Sequence, residues 1–250
     1  MEIIKIALGD YPKYEEMLLR KDKFEKEAQQ WHDEFVRKFG KYLIDNFVLK
    51  LECIRLKKML AIAQTQINQG FNPDMDEIGD EVNEQMKSFN DDLDNLIAEH
   101  QAALDTKVCP EHVVQQVKKI YREIAKILHP DINAKTQKDP ELLDLWNRVS
   151  IAYKCNKLEE LEELQVLVNT ALNKKGIDVS KFVIPNIEEK IQELEKKINE
   201  IITTDPYKFK FLLEDKAEVE DMIIGFEEEK KEYLEYKKGL EIMIQDLLER

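Results

Sequence analysis

Between Tyr14 and about Gln69 apolar residues return at every seventh position, at Ala28, Phe35, Tyr42, Leu49, Leu56 and Ala63, and are joined four residues later by Phe39, Cys53, Leu60 and Ile67. That spacing predicts one long helix with a single apolar stripe. The stripe stops at Asn68-Gln69-Gly70-Phe71-Asn72-Pro73, a cluster of helix-ending residues. An acidic helical segment from about Asp76 to Ala103 follows, and the two segments are expected to fold back on each other as a hairpin.

A second long-helix region follows Pro185, where Ile187, Ile191, Leu194, Ile198 and Ile201 alternate by four and three. Thr203-Thr204-Asp205-Pro206 then reads as a turn, with a cap and a proline opening a further helix. A heptad row runs on through Leu212, Val219, Phe226, Tyr233, Leu240 and Leu247. This predicts a hairpin of unequal arms. An arm from Pro206 to Arg250 at about 1.5 Å per residue reaches roughly 65 Å, beyond what its first arm can cover. The uncovered stripe is expected either to self-associate or to lie along the Ala28–Ile67 stripe.

The stretch from about Cys109 to Leu172 has shorter helices. Val117, Ile120, Tyr121, Ile124 and Leu128 share one helical face, whereas Gln115, Lys118, Lys119, Arg122 and Lys126 share another. The Lys119–Glu123 spacing suits a modest ion pair one helical turn apart. After a gap without periodicity from about Leu128 to Pro140, residues Leu142, Leu145, Trp146, Val149, Ala152 and Tyr153 form a second apolar face. It is suited to pack antiparallel on the first. His129-Pro130-Asp131 lies between them. Proline fixes its own φ and pushes the preceding residue out of helical geometry, so the helix must end there. Two antiparallel helices, Glu111 to Leu128 and Glu141 to Tyr153, are expected, with His129 to Asp131 exposed between them.

The run Val117-Lys118-Lys119-Ile120-Tyr121-Arg122-Glu123-Ile124-Ala125-Lys126-Ile127-Leu128-His129-Pro130-Asp131-Ile132-Asn133 resembles the second helix and signature loop of the J-domain (DnaJ-like) co-chaperones. Asn147-Arg148-Val149-Ser150-Ile151-Ala152-Tyr153 resembles their third helix. The likeness covers about a quarter of the chain. No D-Y-Y-x-x-L-like first helix precedes Glu111, and Ile127 and Ile132 stand where basic residues are frequent. The resemblance implies that Lys118, Lys119, Arg122 and Lys126 dock on an acidic surface of a DnaK-type, seventy-kilodalton heat-shock ATPase. It also implies that His129, Pro130 and Asp131 couple docking to ATP hydrolysis, so that the chemistry stays on the partner.

The fold class expected is all-α, a central J-like helical domain (residues 108–172) flanked by two long coiled-coil-like hairpins (residues 1–107 and 173–250). The hairpins are expected to bind a client protein or to mediate assembly, including homo-oligomers. A structural coiled-coil scaffold with an inactive J-like module is the competing reading. The net charge of −14 over 250 residues argues against nucleic acid and anionic membranes as partners. The absence of a long apolar run and of a secretory leader leads to the expectation of a cytoplasmic protein. Cys53, Cys109 and Cys155 are odd in number and lack a C-x-x-C pair, so reduced thiols are expected. Cys109 and His112 have the spacing of two zinc ligands without a second pair, and Asp91, Asp92 and Asp94 lack the glycine and terminal glutamate of a calcium loop. No metal and no cofactor are expected. With no nucleophile motif or phosphate loop beside His129 and Asp131, the chain is not expected to be an enzyme.

Overall fold

The computed structural model describes residues 3–105, 109–177 and 186–249, with side chains from residue 12 onward. The protein is all-α: ten helices, and no strand among the described residues. They are α1 (Ile3–Asn68), α2 (Met75–Gln85), α3 (Lys87–Asp105), α4 (Glu111–Leu128), α5 (Ala134–Lys138), α6 (Pro140–Lys154), α7 (Leu158–Lys174), α8 (Ile187–Thr203), α9 (Phe209–Glu214) and α10 (Lys216–Leu248).

Contacts group these helices differently from three consecutive segments. One compact unit takes residues 1–30 and 107–208, and the other takes residues 31–106 and 209–250. The arms α8 and α10 of the expected carboxy-terminal hairpin therefore fall in different units. The expected boundary at residues 107/108 lies outside the described residues.

In the unit formed by residues 31–106 and 209–250, α1 ends where its sequence stops being helical. The Phe71 N–H donates to the Gln66 carbonyl at 2.9 Å and Gly70 adopts φ +84°, a conformation that a side chain would strain. Asp74 then caps α2 by accepting from the backbone N–H groups of Asp76 and Glu77. The return limb runs antiparallel to α1. Lys58 reaches Gln85 near one end, and Arg37 donates to the Ala103 carbonyl near the other. Met86 interrupts that limb, which is two helices rather than one. Gly40 lets the two limbs approach closely: a Cβ there would sit within 2.4 Å of the His100 ring.

α10 lies parallel to α1. Tyr42 stacks on Phe226 with ring centroids 5.8 Å apart, Cys53 Sγ donates to the Tyr233 carbonyl at 3.4 Å, and Lys230 and Lys237 pair with Asp45 and Glu52. Ala63 and Leu247 share one apolar cluster with Leu51, Ile78 and Val82. The two heptad rows thus face each other within one chain. Asn46, buried in this seam, donates to the Phe226 carbonyl and to Glu229, which ties the register down. The long arm is not continuous from Pro206. Asp215 caps α10 through the N–H groups of Ala217 and Glu218, and α9 is a separate short helix whose Phe209 stacks on Phe35 at 4.1 Å.

In the other unit, α4, α6 and α7 enclose a core of Val117, Ile124, Leu128, Leu142, Val149, Leu161, Leu164 and Val168, all fully buried. α4 and α6 are antiparallel, because Tyr121 stacks on Tyr153 at 3.9 Å while His129 meets Trp146 at 4.6 Å. The third helix packed into this core is α7, which follows α6. Asn156, at φ +53°, makes the tight turn between α6 and α7. A second cluster joins Tyr14, Met17 and Leu18 of α1 to Ile132 and to Ile187, Ile191, Leu194 and Ile198 of α8. The apolar spacing read in α8 therefore serves α1 and the loop after α4.

Candidate functional site at the turn after α4

The expected helices form as α4 and α6, and Pro130 ends α4: His129 has φ −55° and ψ +128°, outside helical geometry. The segment between them is shorter of loop than its lack of periodicity suggested. Asn133, fully buried, accepts from the Lys135 N–H to cap α5 and donates its Nδ2 to the Ile127 carbonyl. That second bond stitches the loop back to the last turn of α4.

The exposure expected of the turn is overturned for His129. Asp131 is exposed and Pro130 half-exposed, but His129 is only 8% exposed. Its covering comes from three sides. Trp146 lies edge-on to the imidazole, the Asp131 N–H donates to Nδ1 at 3.1 Å, and Asp22 of α1 places Oδ2 4.0 Å from Nε2. With Nδ1 accepting, the proton of the neutral ring sits on Nε2, facing Asp22. Burial lowers the His129 pKa below its ordinary value, against the opposing pull of Asp22 and Asp131.

α1 reaches this module through one face that repeats every fourth residue, at Tyr14, Leu18, Asp22 and Lys26. Asp22 also accepts from the Tyr121 hydroxyl at 2.6 Å. Lys26, 3% exposed, donates to the Tyr153 carbonyl and to Asn156 Oδ1 at the end of α6, with its ammonium 4.0 Å above the Tyr153 ring. Burial brings its pKa down to about 8. Neither Asp22 nor Lys26 stood out in the sequence. The available signal was their four-residue spacing from Tyr14 and Leu18, hidden by the ordinary look of Lys21-Asp22-Lys23.

No protein-family model, no curated protein and no solved structure matches the chain. The site therefore has to be read from its own geometry.

The cations expected at a docking face are Lys118, Lys119, Arg122 and Lys126. Lys119, Arg122 and Lys126 are exposed and Lys118 half-exposed on α4. Lys126 pairs with Glu15 of α1 at 3.0 Å. The expected Lys119–Glu123 pair is not among the ion pairs of the described residues. Glu123 instead accepts from Gln165 of α7 at 2.8 Å, because α7 packs alongside. Tyr153 is a core residue, as its spacing implied, and Trp146 is partly buried against the same core. No group of three or more potential metal ligands gathers among the described residues, and no described helix is long and apolar enough to cross a membrane.

Proposed function

We propose that the chain is a non-enzymatic co-chaperone of the J-domain type, which docks through α4 on an acidic surface of a DnaK-type ATPase and speeds its ATP turnover. The observation that supports this best is the join between a cationic helix and a proline-locked turn. Lys118, Lys119, Arg122 and Lys126 lead directly into His129-Pro130-Asp131, with an antiparallel α6 fixing the turn from behind. Pro130 and Asp131 stay accessible, so two members of the turn can meet a partner while α4 supplies the attraction. The helices outside the module would hold a client or an assembly, and a cytoplasmic setting fits a partner of this class.

One observation favours the scaffold reading instead. His129 is buried, hydrogen-bonded and packed on Trp146, as a structural turn residue would be. ATP turnover by a DnaK-type ATPase, measured with and without the full chain, separates the two. Stimulation that disappears in Asp131→Asn supports the co-chaperone reading, and Asp131 is the cleaner test because it is exposed. No stimulation by the wild type hands the protein to the scaffold reading.

A further inference from the structure

A groove of about 840 Å³ runs between α1 and α4. Its cations come from both walls: Arg20 and Lys23 from α1, and Lys118, Lys119, Arg122 and Lys126 from α4. The carboxylates in the lining are Glu15, Glu16 and Glu123, half as many. Of these, Glu15 is held by Lys126 and Glu123 accepts from Gln165. Lys23 pairs with Glu27 at 3.5 Å, and Arg20 donates to Met17 Sδ at 3.7 Å. Arg20, Lys118, Lys119 and Arg122 have no ion pair among the described residues. Arg20 on one wall and Lys118, Lys119 and Arg122 on the other line the same groove without a carboxylate partner among the described residues, so the groove carries a positive local field that an anion would neutralise. In a chain of net charge −14, that field is confined to its own neighbourhood.

We infer that this two-walled groove is a docking site for an acidic segment of a partner protein, and that Arg20 and Lys23 of α1 are binding residues alongside the α4 cations. The half-buried Leu19 and the pyrrolidine of Pro12 give the groove apolar surface for the stem of such a segment. A short acidic peptide fits the charge pattern better than a nucleic acid. A polyanion with one charge per about 1.7 Å extends past the groove and meets the repulsion of the rest of the chain. The inference rests on the co-chaperone reading only for which protein supplies the acidic segment.

The test uses the full chain and a fluorescein-labelled deca-glutamate peptide, followed by anisotropy at about 0.05 M salt, where exposed charges are least screened. The peptide is expected to bind and to be released as salt rises to about 0.5 M. Arg20→Glu/Lys23→Glu is expected to weaken it by roughly fivefold to tenfold, to a similar degree as Lys119→Glu/Arg122→Glu. The neutral pair Arg20→Gln/Lys23→Gln should give a smaller loss in the same direction, with circular dichroism showing the fold intact. Absence of binding overturns the inference. So does binding that ignores the α1 variants, which would leave α4 alone as the docking face. A labelled oligonucleotide that binds more tightly with the same variant dependence would make the groove a nucleic-acid site. A doubling of mass at low salt, reversed by the variants, would make the occupant a second copy of this chain. Peptide binding without ATPase stimulation defeats the co-chaperone reading alone, and stimulation without peptide binding defeats the groove alone.

Discussion

Tyr121 of α4 donates its hydroxyl to Asp22 of α1 at 2.6 Å, and the same carboxylate oxygen faces the imidazole of His129 from 4.0 Å. One carboxylate thus joins the amino-terminal stretch of α1 to both the middle and the end of α4. Tyr121 is 4% exposed, so its hydroxyl has little access to water once Asp22 is removed.

Asp22→Ala is therefore expected to cost about 1.5–3 kcal/mol, the range for losing a hydrogen bond to a charged group and stranding its buried donor. Tyr121→Phe in the same background should cost much less than in the wild type. A double-mutant cycle by denaturant unfolding checks this, and strictly additive losses would mean that the two groups do not interact.

His129 gives the same unit a dependence on acid. Burial lowers its pKa below the ordinary 6.5, while Asp22, Asp131 and Glu25 pull upward and Lys21 pulls downward. As the pH falls, the unfolded chain takes up the proton first. The stabilisation from the buried neutral ring is thus complete above about pH 6.5 and is lost as the pH drops through the lower folded value. Melting temperature is expected to fall between about pH 7.5 and pH 5.5, and His129→Gln should flatten that slope. The variant should also melt lower at neutral pH, because it loses the Trp146 contact and the bond from the Asp131 N–H. A wild-type slope unchanged by the substitution would remove His129 from the account.

Lys26 acts at the alkaline end. Its folded pKa of about 8 lies below the ordinary 10.5, so between these values the unfolded state holds more protons than the folded one. Stability should rise with pH across that window. Measurement is best kept below about pH 9.5, before the ordinary tyrosine range begins to contribute. Lys26→Met keeps most of the stem and removes this titration, so between pH 7.5 and 9.5 the stability of the wild type should climb relative to that of the variant. Equal slopes would show that the ammonium is better solvated than its burial implies.

What the sequence made legible, and what it hid, divides by the kind of signal. The Ala28–Ala63 and Leu212–Leu247 rows are apolar and periodic over many turns, so their helicity and the need to cover each stripe were legible, while the choice between cover from the same chain and from a second copy was left open. Pro130 is equally legible, because its ring acts on the backbone whatever the surroundings. The partner of α8 was not legible, since Ile187, Ile191, Leu194 and Ile198 state an apolar face without saying what meets it. Nor was the burial of His129. Its cover is anchored by Asp22 and Lys26, and charged residues on a helix read as a solvated face until a second chain segment is known to lie against them. The break at Asp215 escaped for a different reason: the heptad row is in phase on both sides, and a side-chain cap within a continuous pattern leaves the periodicity intact.

The seam between α1 and α10 can be tested by charge. Phe226 packs against Phe39 at 5.9 Å and Tyr42 at 5.8 Å, and Leu240 is only 3% exposed. An aspartate at either position must carry its charge into that seam or force the helices apart. At Leu240 the apolar loss alone is about 2–5 kcal/mol, the usual range for emptying a buried leucine site, before any cost of the charge. Phe226 is half-buried and should cost less. Because Tyr42, Cys53 and Ala63 supply the covering surface from the same chain, Phe226→Asp and Leu240→Asp are expected to lower melting temperature and helicity without changing the mass seen by light scattering. A drop in mass would mean that the stripe is shared between two chains. If mass, helicity and melting all stay at wild-type values, α10 does not depend on α1 for its cover, and the parallel pairing of the two heptad rows is not what holds this unit together.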